Sequence, residues 1–237
     1  MTIEKTRPAF TPTDRPSQAF VAVLDVLGFK NRLKRTPLTQ LVSDYRQLLR
    51  LAAYCSSLPV GSARGLEKWT VGRAIFSDSV LLCCDDGWEE LRTLISCVAD
   101  LEARALESGW PFRGAIAYGE CVLDLAGGVF VGQPIVDAFL AAESQEWIGV
   151  GLHATVIQHP LLGSRIKGVE DVVEYPVPAK RCVTPMSHAV QWGPTTTGAV
   201  SALKSLSATA DSCRSRRKYA ATVRFLKKTC QGMHALS

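Results

Sequence analysis

The segment AFVAVLDVLGF, residues 19–29, places one carboxylate inside an otherwise apolar run. Apolar side chains occupy both parities of the run. A strand of that kind is covered on both faces, at the centre of a sheet. Asp25 therefore enters a place where an isolated charge is costly and must be met by an opposite charge, a metal or hydrogen bonds. Gly28 closes the strand and allows a sharp turn, which leaves the amides of residues 27–30 available to phosphate oxygens. A strand-ending glycine with no ligand is the alternative.

The rest of the chain alternates strand and helix patterns. Residues 38–57 carry Leu38, Leu41, Val42, Tyr45, Leu48, Leu49 and Ala52 at spacings of three and four, an amphipathic helix. Residues 67–84 read as a hairpin whose turn, Ser77-Asp78-Ser79, holds a second aspartate. A second helix is expected over 88–108, a strand over 112–125, a Gly-rich connection through GGVFVGQP, a third helix over 135–147 and a strand over 148–157. EYPVPAK and HAVQW read as late extended segments. Residues 1–18 are polar, with Pro8, Pro12 and Pro16, and read as a flexible arm. Residues 195–207 are rich in Thr, Ser, Gly and Ala and read as a linker before a basic terminal helix. Hairpins interrupt the parallel pattern, so the expected class is α+β: a mixed, ferredoxin-like sheet with helices packed on it and a C-terminal helical extension.

Composition removes several classes. The 237 residues can bury a core without staples. No apolar run is long enough to span a membrane, and the polar N-terminus lacks the apolar stretch of a secretory signal, so a cytoplasmic location is expected. The eight cysteines form no CxxC pair and the four histidines are scattered. Buried free thiols and no zinc site follow. The net charge of +5 is uneven: residues 201–237 hold eight Lys and Arg against one Asp, and residues 1–200 carry −2. The basic helix, with Tyr219, Val223 and Phe225 on it, reads as packed with a solvated basic face, away from Asp25 and Asp78.

Two carboxylates on neighbouring strands could share divalent metals with a phosphate chain. The bland alternatives are a helix cap for Asp25 and an Asx turn for Asp78. Arg113 precedes a strand and could bind phosphate bidentately or make a surface ion pair.

FVAVLDVLGF, IFSDSV and FRGAIAYGE together resemble the class III nucleotidyl cyclases over about residues 19–157. In that family a strand aspartate precedes a hydrophobic residue and Gly-Phe, a second aspartate sits in a hairpin turn, and an Arg-x-Gly-Ile-x-x-Gly strand follows. Arg113 and Gly119 keep that spacing, with Gly114 one place early. Purine cyclases carry a base-reading Lys where this chain has Ala74, beside Arg73. Val129 and Phe130 stand near their second base-reading position. Val136 or Asp137, and Leu140 or Ala141, stand where they have a transition-state Asn and Arg.

These departures resemble the pyrimidine cyclases of bacterial Pycsar antiphage systems, and so do LVSDYRQLL, AFLAAESQEWIGVGL, VEYPVPAK, AVQW and KYAATVRFLKK. The resemblance implies conversion of UTP, or less readily CTP, to a 3′,5′-cyclic nucleotide and pyrophosphate, with the product activating a separate effector. It implies that Asp25, Asp78 and the Val26 carbonyl hold two Mn²⁺ or Mg²⁺ ions. Tyr45 would limit base size, Phe29 would pack near the nucleotide, and Arg113 would meet phosphate. It also implies a head-to-tail homodimer with interfacial sites, a catalytic domain over 19–194 and an extension over 195–237 that packs on the domain or dimer. Glu143 and Trp147 match further family positions and read as packing residues. Two other readings stay open: a non-catalytic nucleotide sensor on the same fold, and nucleic-acid binding through the basic tail.

Overall fold

A computed structural model of the protein describes residues 6–57, 59–62, 65–180, 185–192, 196–208, 210 and 212–229. Residues 1–5 of the expected arm, 195 of the expected linker and 230–237 of the tail lie outside the described residues. In chain order the elements are β1 (Thr6–Pro8), β2 (Thr13–Val26), α1 (Phe29–Arg35), α2 (Leu38–Cys55), β3 (Pro59–Ser62), β4 (Gly65–Thr70), β5 (Gly72–Phe76) and β6 (Ser79–Asp85). There follow α3 (Trp88–Glu107), β7 (Phe112–Asp124), β8 (Val129–Gly132), α4 (Gln133–Ser144), β9 (Gly149–Leu152), α5 (Ala154–Ile157) and α6 (Gly163–Ile166). The last are β10 (Val172–Glu174), β11 (His188–Val190), α7 (Thr196–Ala208) and α8 (Cys213–Thr229).

The main sheet runs β10-β11-β9-β7-β2-β6-β5, with β8 paired to β7. Four of its strands, β7-β2-β6-β5, have the order and antiparallel pairing of a ferredoxin-like unit; the helical crossovers are α1–α2 and α3. β9 extends it in parallel with β7, so the sheet is mixed as expected. β2 is central, and its side chains alternate between two cores. Phe20, Ala22, Leu24 and Val26 pack under α2 and α3 with Leu48, Leu94 and Val98. Ala19, Val21 and Val23 pack with Leu81, Ala117 and Ala138 of α4 on the other face. A third cluster joins Trp147, Trp192, Val200, Leu203, Phe225 and Leu226 beneath α7 and α8.

Four expectations need correction. The polar segment 1–18 is not an arm throughout: β1 pairs with β4, and β2 already begins at Thr13, paired with Leu123. Pro16 falls at the register shift between Thr13 and Ser17, where a missing amide is tolerated. Residues 196–208 form a helix, not a linker, because their small residues let Ala199, Val200 and Leu203 bury against α3. The Gly-rich connection contains β8. The third helix stops at Ser144, leaving Trp147 in the connection to β9.

Candidate active site

Asp25 lies one residue before the end of β2, in a row that crosses three strands. Its ladder partners are Ser79 on β6 and Arg113 on β7. Period-two alternation turns it to the α4 side, away from the dry core under α2 and α3. There Arg113 Nε donates to Asp25 Oδ2 at 2.8 Å, and Arg113 Nη1 donates to the Glu143 carbonyl at 2.9 Å. The two side chains are 20% and 17% exposed, so water screens this pair only in part. Burial pushes the Asp25 carboxyl above its ordinary range. The Arg113 hydrogen bond and charge pull it back, the Asp78 charge pushes it up again, and Lys218 lowers it.

Asp78 occupies the two-residue turn between β5 and β6. The turn is tied to the end of β2, because the Val26 amide donates to the Asp78 carbonyl at 2.8 Å. Ser77, the preceding residue, has φ +51°, a left-handed conformation that costs a residue with a side chain. Tyr45 of α2 holds that strained turn: its hydroxyl donates to the Ser77 carbonyl at 2.5 Å. Burial and the nearby Asp78 charge push the Tyr45 phenol up.

Gly28 has φ +82° and caps α1, with nothing within 4 Å of a side-chain position. The backbone angle, not space, calls for glycine here. α1 is absent from the sequence reading because a seven-residue element shows too little periodicity. It brings Phe29 against Tyr45 and Trp110, with ring centroids 6.0 and 6.5 Å away. The Arg32 guanidinium lies 4.1 Å over Trp110 and donates to the Gly109 carbonyl. Phe29 and Tyr45 thus form one aromatic wall at the Gly28 end of the sheet.

On the α8 side of the Gly28 turn lies a cavity of about 360 Å³. Leu27, Gly28, Arg113 and Glu143 line it, with Arg214 and Lys218 from α8. The sequence reading placed the basic helix away from the aspartates; the fold brings one face of it to Arg113. The missed signal is positional. The buried stripe of α8 is Lys218, Ala221, Thr222, Phe225 and Leu226, so a lysine stands on the apolar face. Burial lowers the Lys218 ammonium to about 8, helped by the Arg113 and Arg214 charges and opposed by Glu146 and Asp25.

Other candidates lie apart from these groups. Arg73 turns to α2, where its Nη1 donates to Ser56 Oγ at 2.6 Å. Trp147 is fully buried against Tyr175 and Phe225. Among the described residues no group of three or more His, Cys, Asp and Glu gathers as a metal cluster. The hard-donor set at this end is Asp25, Asp78 and backbone carbonyls. Two carboxylates with oxygen donors and room for a phosphate fit Mg²⁺ or Mn²⁺ better than a softer ion. Arg113 now occupies one Asp25 oxygen, so an ion there would compete with it. Among the described residues no helix is long and apolar enough to cross a membrane.

No protein-family description matches the sequence, and no curated protein matches it. Solved structures do. The guanylyl cyclase Cya2 superposes with a TM-score of 0.50 at 10% identity, over 76% of this chain and 95% of that one. The guanylate cyclase domain of RhGC from Catenaria anguillulae, in complex with GTP, gives 0.51 at 12%, over 74% and 96%. The catalytic core of a rhodopsin-guanylyl cyclase with converted specificity, in complex with ATPalphaS, gives 0.50 at 12%, over 76% and 99%. At such identities the likeness speaks for architecture alone: this chain has the α+β fold of the class III nucleotidyl cyclases.

Proposed function

We propose that the protein is a pyrimidine nucleotide cyclase, converting UTP, with CTP as the lesser substrate, to the 3′,5′-cyclic nucleotide and pyrophosphate. The observation that carries this reading is the joining of Asp25, the Asp78 turn and the Gly28 turn at one end of a cyclase-type sheet. In the reaction the ribose O3′ bonds to the α-phosphorus, the bond from that phosphorus to the bridging oxygen breaks and releases pyrophosphate, and the hydroxyl proton passes to solvent water. Asp25 and Asp78, with the Val26 carbonyl, would hold two divalent ions. Such ions lower the pKa of a bound hydroxyl and neutralise phosphate charge. Arg113 is fixed from two sides, by Asp25 and by the Glu143 carbonyl. It would hand its Nε bond from Asp25 to a phosphate oxygen as the site fills. Tyr45 positions the turn that bears Asp78 and, with Phe29, walls the Gly28 end; a wall of fixed rings favours a small base.

The reading includes a homodimer. Phe76, Val136, Phe139 and Leu140 stay 48%, 49%, 49% and 56% exposed and line an apolar groove over β5, β6 and α4, beside Asp25. A monomer rarely leaves such a patch bare, and a second copy would bury it. In that assembly the cyclic product would act as a messenger for a separate effector in antiphage defence.

A second reading has its own support. Val136 and Leu140 stand exposed on α4 where the resemblance would place an Asn and an Arg, and Arg113 already neutralises Asp25. Both favour a nucleotide-binding module without turnover. Mass spectrometry of the products from each of the four nucleoside triphosphates with Mn²⁺ separates the two. A cyclic pyrimidine nucleotide plus pyrophosphate is expected. Binding with no product from any of the four would favour the module, and a cyclic purine product would overturn the pyrimidine assignment.

A further inference from the structure

α8 carries six exposed basic residues, Arg214, Arg216, Arg217, Arg224, Lys227 and Lys228, and one buried one, Lys218, 7% exposed. A buried ammonium is costly unless an anion meets it. The carboxylates within electrostatic reach of Lys218 are Glu146 and Asp25, and both are engaged elsewhere. Asp25 accepts from Arg113 at 2.8 Å. Glu146 is shared by Arg214 at 3.0 Å and Lys180 at 3.5 Å. The result is a cavity with three cations on its wall, Arg113 from β7 and Arg214 and Lys218 from α8, against one carboxylate, Glu143. Arg214 and Lys218 are four residues apart and so share one face of the helix. The Arg113 and Arg214 charges add to the cost of the buried Lys218 ammonium, and a multiply charged anion in the cavity would offset it.

The volume, about 360 Å³, lies within the range of small-ligand sites. Cations supplied from two elements, β7 and α8, suit an anion that offers oxygens in several directions. Arg113 and Arg214 already hold carboxylate partners, so Lys218 is the cation such an anion chiefly serves. The cavity shares Arg113 with Asp25 and includes Gly28, so an anion in it would be continuous with the proposed reaction centre.

We propose that Lys218 is a phosphate-binding residue supplied in cis by α8, which closes a polyphosphate subsite against the Gly28 turn opposite Arg113. Naming the anion as the β,γ-phosphates of a nucleoside triphosphate, or the pyrophosphate released from it, rests on the cyclase reading. The anion subsite itself rests on the cavity and its charges. Arg214, freed in part from Glu146, closes the outer side.

The test is calorimetric titration of the full chain with inorganic pyrophosphate and Mg²⁺. Wild type is compared with Lys218→Met, Lys218→Arg and, as a control that removes the same charge from the exposed face, Arg217→Ala. Lys218→Met is expected to weaken binding about tenfold or more, Lys218→Arg to restore most of it, and Arg217→Ala to change it less than twofold, since buried charge-assisted contacts outweigh exposed ones. With a triphosphate substrate, Lys218→Met should raise KM and weaken inhibition by pyrophosphate by a similar factor. Should Lys218→Met not fold, acetylation of the wild-type protein replaces it: pyrophosphate should protect Lys218 and leave Lys227 and Lys228 unchanged. No binding by wild type, equal affinity in Lys218→Met, or no protection of Lys218 overturns the proposal. Lys218-dependent binding without turnover of any triphosphate leaves the anion subsite standing and removes the cyclase reading. Turnover by wild type with unaltered pyrophosphate affinity in Lys218→Met does the reverse.

Discussion

The two faces of β2 are built from alternate residues of one strand, yet they meet different surroundings. Phe20, Ala22, Leu24 and Val26 lie under α2 and α3, where Leu48, Leu91, Leu94 and Val98 close a dry layer. Val21, Val23 and Asp25 face α4, which covers only part of the sheet and leaves Phe76, Val136, Phe139 and Leu140 exposed. The covered face stabilises the sheet. The incompletely covered face holds the charged pair, the groove and the way in to the Gly28 end. One residue of register separates the two roles, so a slip of β2 by one place would carry Asp25 into the dry layer.

Substitutions can break this contrast. The largest effect is expected on the open face: Asp25→Ala or Asp78→Ala should lower cyclic product at least 100-fold while circular dichroism and sedimentation stay those of wild type. Retained synthesis in Asp25→Ala would remove the metal assignment. On the covered face Leu94→Ala, at a fully buried position, should cost about 2–5 kcal/mol in urea unfolding. Phe139→Asp on the open face should leave the unfolding free energy of the monomer within about 0.5 kcal/mol and abolish the proposed dimer in sedimentation. Equal stability losses at the two positions would show that α4 is covered in the monomer.

Glu102 sharpens the comparison from within the covered side. It is fully buried on α3, its Oε2 accepts from Trp192 Nε1 at 3.1 Å, and its Oε1 has no hydrogen-bond partner among the described residues. Burial holds its carboxyl well above the ordinary range, against the smaller pull of the Trp192 bond. The folded protein therefore keeps a proton that the unfolded chain releases near pH 4.5. Stability falls as pH rises from there toward the folded pKa. Glu102→Gln should flatten that slope and raise Tm at pH 8 by roughly 2–4 °C, equivalent to about 1 kcal/mol. The smallest effect is expected for Tyr45→Phe, which loses the bond to Ser77: about 1 kcal/mol in stability and a severalfold drop in kcat, with KM for Mn²⁺ raised as the Asp78 turn loosens.

How far these features were legible depended on the range of each interaction. Asp25 and Gly28 stood out because one carboxylate and one glycine interrupt a continuous apolar run, a local pattern. Asp78 stood out through the turn between two strand patterns. The partnership of Arg113 with Asp25 spans 88 residues and follows from strand register, which no local pattern encodes. Residues 196–208 misled by composition: Ser, Gly and Ala suit a linker, but small side chains also let a helix lie close on α3. Lys218 was passed over because a basic helix implies a wet face, while its stripe with Phe225 and Leu226 places it inward.

Thr222, one turn beyond Lys218, accepts from the Ile148 amide at 2.8 Å and lies 3.0 Å from the Ile148 carbonyl, across 74 residues of chain. This double tie, with Phe225 wedged against Trp147 and Tyr175, is what seats α8. The tie closes a loop no longer than those closed by pairing β2 with β7, whose partners Asp25 and Arg113 stand 88 residues apart. In synthesis β2, β5, β6, β7 and the Gly28 turn are all made before residues 213–229. The wall carrying Lys218 is therefore made after every other wall of the cavity, and the cavity is complete only once the Thr222 tie has seated α8.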